Sequence, residues 1–405
     1  MTQTMRVKLN STVRLDIDPA AKLARPLFQP MPAVLLGTAV NGPELAVPVT
    51  PSPSSMFGPR GGAMHDDGSV WIADTGHHRL LGWKTMPTED NAPADIVIGQ
   101  PDFFHEGRNG KENVSAFSLN VPTGVTQCGD GIAVADAWNH RVLIWHETPK
   151  TNNQPADVVL GQDDFSSGEG NRGKDVPTAE TMFWCYGIHW DGERLWVADT
   201  GNRRLLMWNG IPTQNGQPAD NVIGQADFFK RDENGGGEPD ARSMRWPHGI
   251  AIWDGRLCVS DAGNNRVMVW NGVPTMINEP CDFVLGQKNV TGVDHNQSNY
   301  FPIAAGLNMP YGITVVGDWL IAADTASSRL VGWQKDDNVS GATARLLAGQ
   351  FTFQDKGDNR WQMPVRDSMC WPYGLYAKGE TVMVCDSGNN RVSLWRVSDK
   401  VLKTI

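Results

Sequence analysis

The chain is poor in several things that would narrow its function quickly. Its six cysteines, spread over 405 residues, form no Cys-x-x-Cys pair. In a chain without an export signal they read as reduced, mostly buried thiols. No apolar run approaches the length needed to span a bilayer. The opening MTQTMRVKLNSTVRLDIDP alternates charged and apolar residues, so it lacks the apolar core of a signal peptide. A soluble, cytoplasmic protein without membrane contact is expected. Positive charge is in deficit, with a formal net charge of −10. Such a surface repels phosphate backbones and disfavours nucleic acid as the main partner. Basic residues in the loops, among them Arg108, Arg172 and Arg242, are interleaved with acids. There is no Walker-type phosphate loop, no GxSxG elbow and no HExxH. The GGG at 235–237 reads as a flexible loop. Runs with a helical period of 3.6 are also missing.

What is present is a repeat. VWIADTGHHRLLGW, from Val70 to Trp83, returns as IAVADAWNHRVLIW, LWVADTGNRRLLMW, LCVSDAGNNRVMVW, LIAADTASSRLVGW and VMVCDSGNNRVSLW. Its aspartates are Asp74, Asp136, Asp199, Asp261, Asp324 and Asp386, spaced 62 or 63 residues apart. The closing tryptophans, Trp83, Trp145, Trp208, Trp270, Trp333 and Trp395, keep the same step. A short Pro-x-Gly turn precedes each Asp, with Cys185 in place of Pro in the third unit. Five units continue to an apolar run ending in Gly-Gln, followed by a long polar loop.

Each unit thus holds four short runs of strand character bounded by Gly, Asn, Asp and Pro. Six such units predict an all-β, six-bladed β-propeller, because a lone blade cannot cover both its apolar faces and a ring leaves no open end. The predicted division is an N-terminal extension at 1–32 and a propeller at 33–405. The last unit lacks a Gly-Gln run, and AVLLGT at 33–38 supplies an extra one. Residues 33–37 are therefore expected to form the outer strand of the last blade; the rival is VLKTI at 401–405.

The pattern Pro-x-Gly, strand, Asp-x-Gly-Asn-x-Arg, strand resembles the NHL repeat across roughly residues 33–397. DTGNRR, DAGNNR and DSGNNR match its core closely, whereas DTGHHR, DAWNHR and DTASSR depart from it. The resemblance implies the propeller fold and leaves function open, since one fold carries many activities. The recurrent Asp, Arg and Trp are expected to be architectural.

Chemistry or recognition is expected where the repeat varies. The x of Pro-x-Gly gives Arg60, Thr123, Tyr186, His248, Tyr311 and Tyr373 around the predicted channel mouth. Two residues earlier stand Gly58, Val121, Trp184, Trp246, Met309 and Trp371. Aromatic groups with polar tips suit recognition, and equally a plug across the channel. Trp138 joins them from the divergent turn Trp138-Asn139-His140. The candidate binding set is Arg60, Trp138, Trp184, Tyr186, Trp246, His248, Tyr311, Trp371 and Tyr373.

Some propeller lyases related to the NHL family hold a channel metal with several histidines. Here His189 and His248 are candidates, without a third; catalytic zinc usually takes three protein ligands. Asp232, Glu233 and Asp294 have no spacing that demands a metal, so no cofactor is expected. Cys185 and Cys370 flank the ring and read as filler or as a reactive thiol. The leading functional expectation is a non-enzymatic scaffold, such as an accessory or assembly factor, that binds a protein or peptide through the loop face. The alternative is a hydrolase or lyase acting on a small molecule in the channel, with or without a divalent metal.

Overall fold

Each repeat folds as a four-stranded antiparallel sheet, and the sheets stand as blades in a ring. The computed structural model describes residues 24–37 and 50–402. Blade one runs outward from Gly61–Met64 through Val70–Asp74 and Arg79–Trp83 to Ile96–Ile98. Blades two to five repeat this order, starting at Pro122, Ile188, Pro247 and Pro310. Blade three, which has Cys185 where the others have Pro, carries the short inner strand Ile188–Trp190. In blade six, Pro372–Lys378, Thr381–Asp386 and Arg391–Arg396 are joined by Val34–Gly37 as the outer strand. That strand pairs antiparallel with Arg391–Arg396, Val34 opposite Leu394 and Gly37 opposite Arg391. Asp399–Leu402 form a helical turn, and residues 403–405 lie outside the described residues.

The strands are buried along both faces because each blade is sandwiched between two others. VWIAD and RLLGW of blade one are buried at every position. One apolar core lies between each pair of neighbouring blades, including one that joins Leu36, Met383 and Leu394 to Met64, Ile72 and Leu81 across the closure. Each closing Trp fills such a core while its indole N–H donates to a carbonyl in the outer hairpin of its own blade, as Trp145 does to Gln154 at 3.1 Å and Trp270 to Glu279 at 2.9 Å. Blade six has no outer hairpin, and Trp395 donates instead to the Ser393 hydroxyl at 2.8 Å.

Around the axis the glycine of each Pro-x-Gly faces the next blade's backbone. A Cβ at Gly61 would run into the Thr123 carbonyl, one at Gly249 into that of Tyr311, and one at Gly374 into that of Arg60. The inner strands therefore meet backbone to backbone, and the last blade meets the first on the same terms as any other pair.

Residues 25–28 strap the outer edge near the closure. Arg25 and Pro26 pair in parallel with Leu346 and Leu347 of blade five, and Phe28 stacks on Trp395 at 4.9 Å.

Candidate functional site

The recurrent turn residues form a polar scaffold around a buried Asp–Arg pair in each blade. In each blade one Asp carboxyl oxygen accepts from Arg Nε five residues on, for example Arg141 to Asp136 at 2.8 Å and Arg391 to Asp386 at 2.7 Å. The other accepts a backbone N–H from the segment entering the blade, as from Asn120 at 2.6 Å and from Cys370 at 2.7 Å. The same guanidinium donates to loop carbonyls, Arg141 reaching Phe165, Ser115 and Ser118. A buried ion pair tolerates desolvation only when its remaining donors and lone pairs are used, and in blades one to five all three guanidinium nitrogens are bonded. The Gln that ends each outer strand ties the turn to the following loop, Gln162 donating to the carbonyls of Asn139, His140 and Glu169.

A second recurrent residue escaped the sequence analysis. Asn109, Asn171, Asn234, Asn296 and Asn359, in the long loops, all adopt left-handed backbone. Four of them pair with the Asn of the next blade's turn, as Asn171 and Asn202 do through two hydrogen bonds of 3.1 and 2.8 Å. Their own 62- or 63-residue step was the signal available. In blade five the partner is Ser327, whose side chain is too short; its hydroxyl and the Asn296 side-chain oxygen Oδ1 are left buried without partners.

The divergent turns have a structural role. The residue before each turn Arg is left-handed in every blade: His78, His140, Arg203, Asn265, Ser328 and Asn390. Five of these accept from the next blade's backbone. His78 Nδ1 takes the N–H of Val121 at 3.0 Å, His140 Nδ1 that of Trp184 at 2.8 Å, and Asn265 that of Met309 at 2.8 Å. Ser328 and Asn390 serve Trp371 and Gly58 at 3.2 and 2.8 Å. All five recipients have positive φ, which is costly for Val, Trp and Met. Arg203 has no acceptor. The residue it faces, Trp246, bonds Asp261 at 3.1 Å instead and is absent from the positive-φ set. His78 and His140 must be neutral at Nδ1 to accept, and burial holds both below the ordinary histidine pKa.

The candidate binding residues separate into two groups. Arg60, Tyr186, His248, Tyr311 and Tyr373 close into a collar across the axis. Arg60 donates to the Tyr186 hydroxyl at 3.0 Å and sits 4.7 Å over the Tyr373 ring. Tyr186 meets His248 at 4.8 Å, His248 meets Tyr311 at 4.4 Å, and Tyr311 stacks on Tyr373 at 4.1 Å. Thr123 completes the circle with its hydroxyl on the Tyr186 carbonyl at 2.9 Å. His248 Nδ1–H donates to the Trp246 carbonyl at 2.9 Å, and burial lowers its pKa to about 4. Beyond the collar, away from the loop face, lies a channel of about 460 Å³ lined by the inner strands, with Gln127, His189, Trp190 and Asp191 among its residues.

Trp138, Trp184, Trp246 and Trp371 form the second group, exposed on the loop face. They belong to a larger set. The exposed aromatic side chains among the described residues are Phe57, Phe104, Phe117, Trp138, Trp184, Phe229, Trp246, Tyr300, Phe301, Phe351, Trp361 and Trp371. All lie in the loops that enter blades or in the Asp-x-Gly-Asn turns, hence on one face. The other face exposes Met86, Met276, Ile277 and Val339. Cations accompany the rings: Arg108 over Trp138 at 4.9 Å, Arg245 over Trp246 at 5.2 Å, Arg360 over Phe351 at 4.8 Å and Lys356 over Tyr300 at 3.9 Å.

His189 and His248 both line the channel, each with its pKa lowered by burial to about 4. Among the described residues no three of His, Cys, Asp and Glu come together as a metal set. Asp232, Glu233 and Asp294 sit in the outer loops, where the backbone carbonyls of Asp232 and Asp294 accept from Gln225 and Gln287 at 2.8 Å each. Cys185 is buried and Cys370 partly so, and burial pushes the pKa of Cys185 up and that of Cys370 to about 12, which disfavours the thiolate at both. No helix among the described residues is long and apolar enough to cross a membrane.

Comparison with known proteins agrees with this architecture. The NHL repeat family model matches residues 244–270, which hold the inner strand, turn and closing Trp of blade four. Human NHL repeat-containing protein 2 is 23% identical over 359 residues, covering 82% of this chain and 46% of that protein. This chain thus spans about half the length of that relative. A structural genomics protein of unknown function from Bacteroides thetaiotaomicron superposes with a TM-score of 0.51 at 13% identity, over 91% of this chain and 75% of that one. Virginiamycin B lyase from Staphylococcus aureus covers 84% of this chain and 96% of its own at 12% identity, with a TM-score of 0.41, too distant to bear on chemistry. The repeats, their turns and the ring they build make this chain a six-bladed β-propeller whose fourth blade matches the NHL repeat.

Proposed function

We propose that the protein is a recognition scaffold that binds a protein or peptide through its loop face. One observation carries this reading: the exposed aromatic residues among those described are all on that face, several beside an Arg or Lys. Trp, Tyr and Arg dominate binding energy at protein interfaces, because they bury large rigid surfaces while keeping a polar handle. Exposed apolar side chains gathered on one face support such a reading, because they are common at interaction sites. The rigid blades below would hold the rings in place, so little ordering cost falls on association.

The test compares capture by the wild type, by Trp246→Ala/Trp371→Ala and by Met276→Ser/Ile277→Ser on the opposite face. A partner retained by the wild type and the opposite-face variant, and lost from the tryptophan variant, is the expected result. Equal capture by all three would remove the loop face from consideration.

A further inference from the structure

The collar contains a charge that the scaffold does not use. The six turn arginines each have a carboxylate and several carbonyls. Arg60 is half-buried and donates to one phenol oxygen, that of Tyr186 at 3.0 Å; otherwise it faces aromatic rings. Among the described residues no carboxylate forms an ion pair with it. A guanidinium has five N–H donors in a planar fork, and a desolvated cation without a counter-ion is costly. Its surroundings are otherwise neutral: burial holds His248 uncharged and raises the Tyr186 and Tyr373 hydroxyls far from ionisation.

The guanidinium also lines the channel. Tyr186 spends its oxygen as an acceptor from Arg60, so its own O–H remains to be donated. Tyr311 and Tyr373 face each other as stacked rings 4.1 Å apart. At one end of the cavity there is thus a cation with spare parallel donors and an adjacent phenol donor. Below them, Ile188, Ile252, Val315 and Leu375 offer apolar walls. At the far end Asp66 is already paired with Lys378 and held by Gln127, both at 2.8 Å. About 460 Å³ is a volume typical of small-molecule sites.

We propose that the channel binds a small carboxylate, its anionic end on Arg60 and the Tyr186 hydroxyl and its apolar body along the inner strands. Arg and carboxylate match in planar geometry, and such charge-assisted bonds are strong when water is excluded. Entry is from the face opposite the loops, because the collar closes the loop side. The site is independent of the loop-face reading.

The experiment uses the whole protein with benzoate, phenylacetate and hexanoate as probes, and benzamide as the uncharged isostere. Titration calorimetry and thermal unfolding are followed in the millimolar range. The expected result is saturable binding of at least one carboxylate with a rise in melting temperature, and none for benzamide. Arg60→Met should weaken binding at least about tenfold. Should Arg60→Met fold poorly, Arg60→Lys keeps the charge without the planar fork and should also bind more weakly than the wild type. Trp246→Ala/Trp371→Ala should bind the probe as the wild type does. Absence of saturable binding by all three carboxylates, equal binding of benzamide, or unchanged affinity in a folded Arg60 variant would overturn the proposal.

Discussion

The residue before each turn Arg shows how a single acceptor atom decides a local conformation. Where that residue is His, Asn or Ser, the next blade enters in left-handed backbone; where it is Arg203, Trp246 turns to Asp261 instead. The two histidine latches make the fold sensitive to pH. Burial lowers the pKa of His78, His140, His189 and His248, the last two to about 4. Unfolded histidine takes up its proton near pH 6.5. Below that pH the unfolded chain therefore binds more protons than the folded one, and stability falls as pH drops from about 6.5 towards 4. Melting temperatures between pH 7.5 and 5 should decline. His140→Asn, which keeps an acceptor as Asn265 does, should match the wild type at pH 7.5 and decline less on acidification. Equal slopes would show that the latch does not titrate. Blade five offers the converse change. Ser327→Asn should pair with Asn296 and stabilise the protein by about 1 kcal/mol, the usual net worth of one hydrogen bond, read from denaturant unfolding.

At the scale of the blade, the sequence reading and the structure meet where the repeat is strict. Asp, Arg, Trp and Gly-Gln recur at one step, and each does the same job six times or five, so spacing alone announced them. The loop asparagines recur equally strictly but sit in polar stretches of varied composition, where the step is easily overlooked. The collar was legible as a row of aromatics at the axis. Its contacts were not, because whether Arg60 meets Tyr186 across Thr123 depends on the diameter of the ring. The divergent turns read as recognition elements, and the hydrogen bonds of His78, His140 and Ser328 give them an architectural role. A turn aspartate tests that role within one blade. Asp261→Ala leaves Arg266 buried without its carboxylate and two backbone N–H groups of Arg245 and Trp246 without an acceptor. Breaking a buried pair from one side costs about 3–5 kcal/mol, a large share of a typical stability of about 5–15 kcal/mol. The denaturation midpoint should fall accordingly; a shift under about 1 kcal/mol would show that the pair is not part of the frame.

For the molecule as a whole, the closure between blades six and one holds a ring of otherwise local contacts together. Propeller blades meet chiefly their neighbours, so loss of one interface turns a closed ring into an open stack with two exposed apolar faces. The outer strand Val34–Gly37 and the strap at 25–28 are supplied from the opposite end of the chain. Leu35 and Leu36 are fully buried there, and Phe28 covers Trp395. A chain beginning at residue 38 should lose this cover and present the free edge of Arg391–Arg396, a template for pairing with other chains. It should melt at a markedly lower temperature and aggregate. A synthetic peptide of residues 24–37 should then bind in trans and raise the melting temperature with a saturable dependence on its concentration, because a ligand that binds only the folded state stabilises it by mass action. A scrambled peptide should do nothing. If the shortened chain melts with the full-length protein, some other segment closes blade six. If it melts early and the peptide fails to rescue it, the strand must be placed before the ring closes, and closure is then a step in folding as well as a feature of the fold.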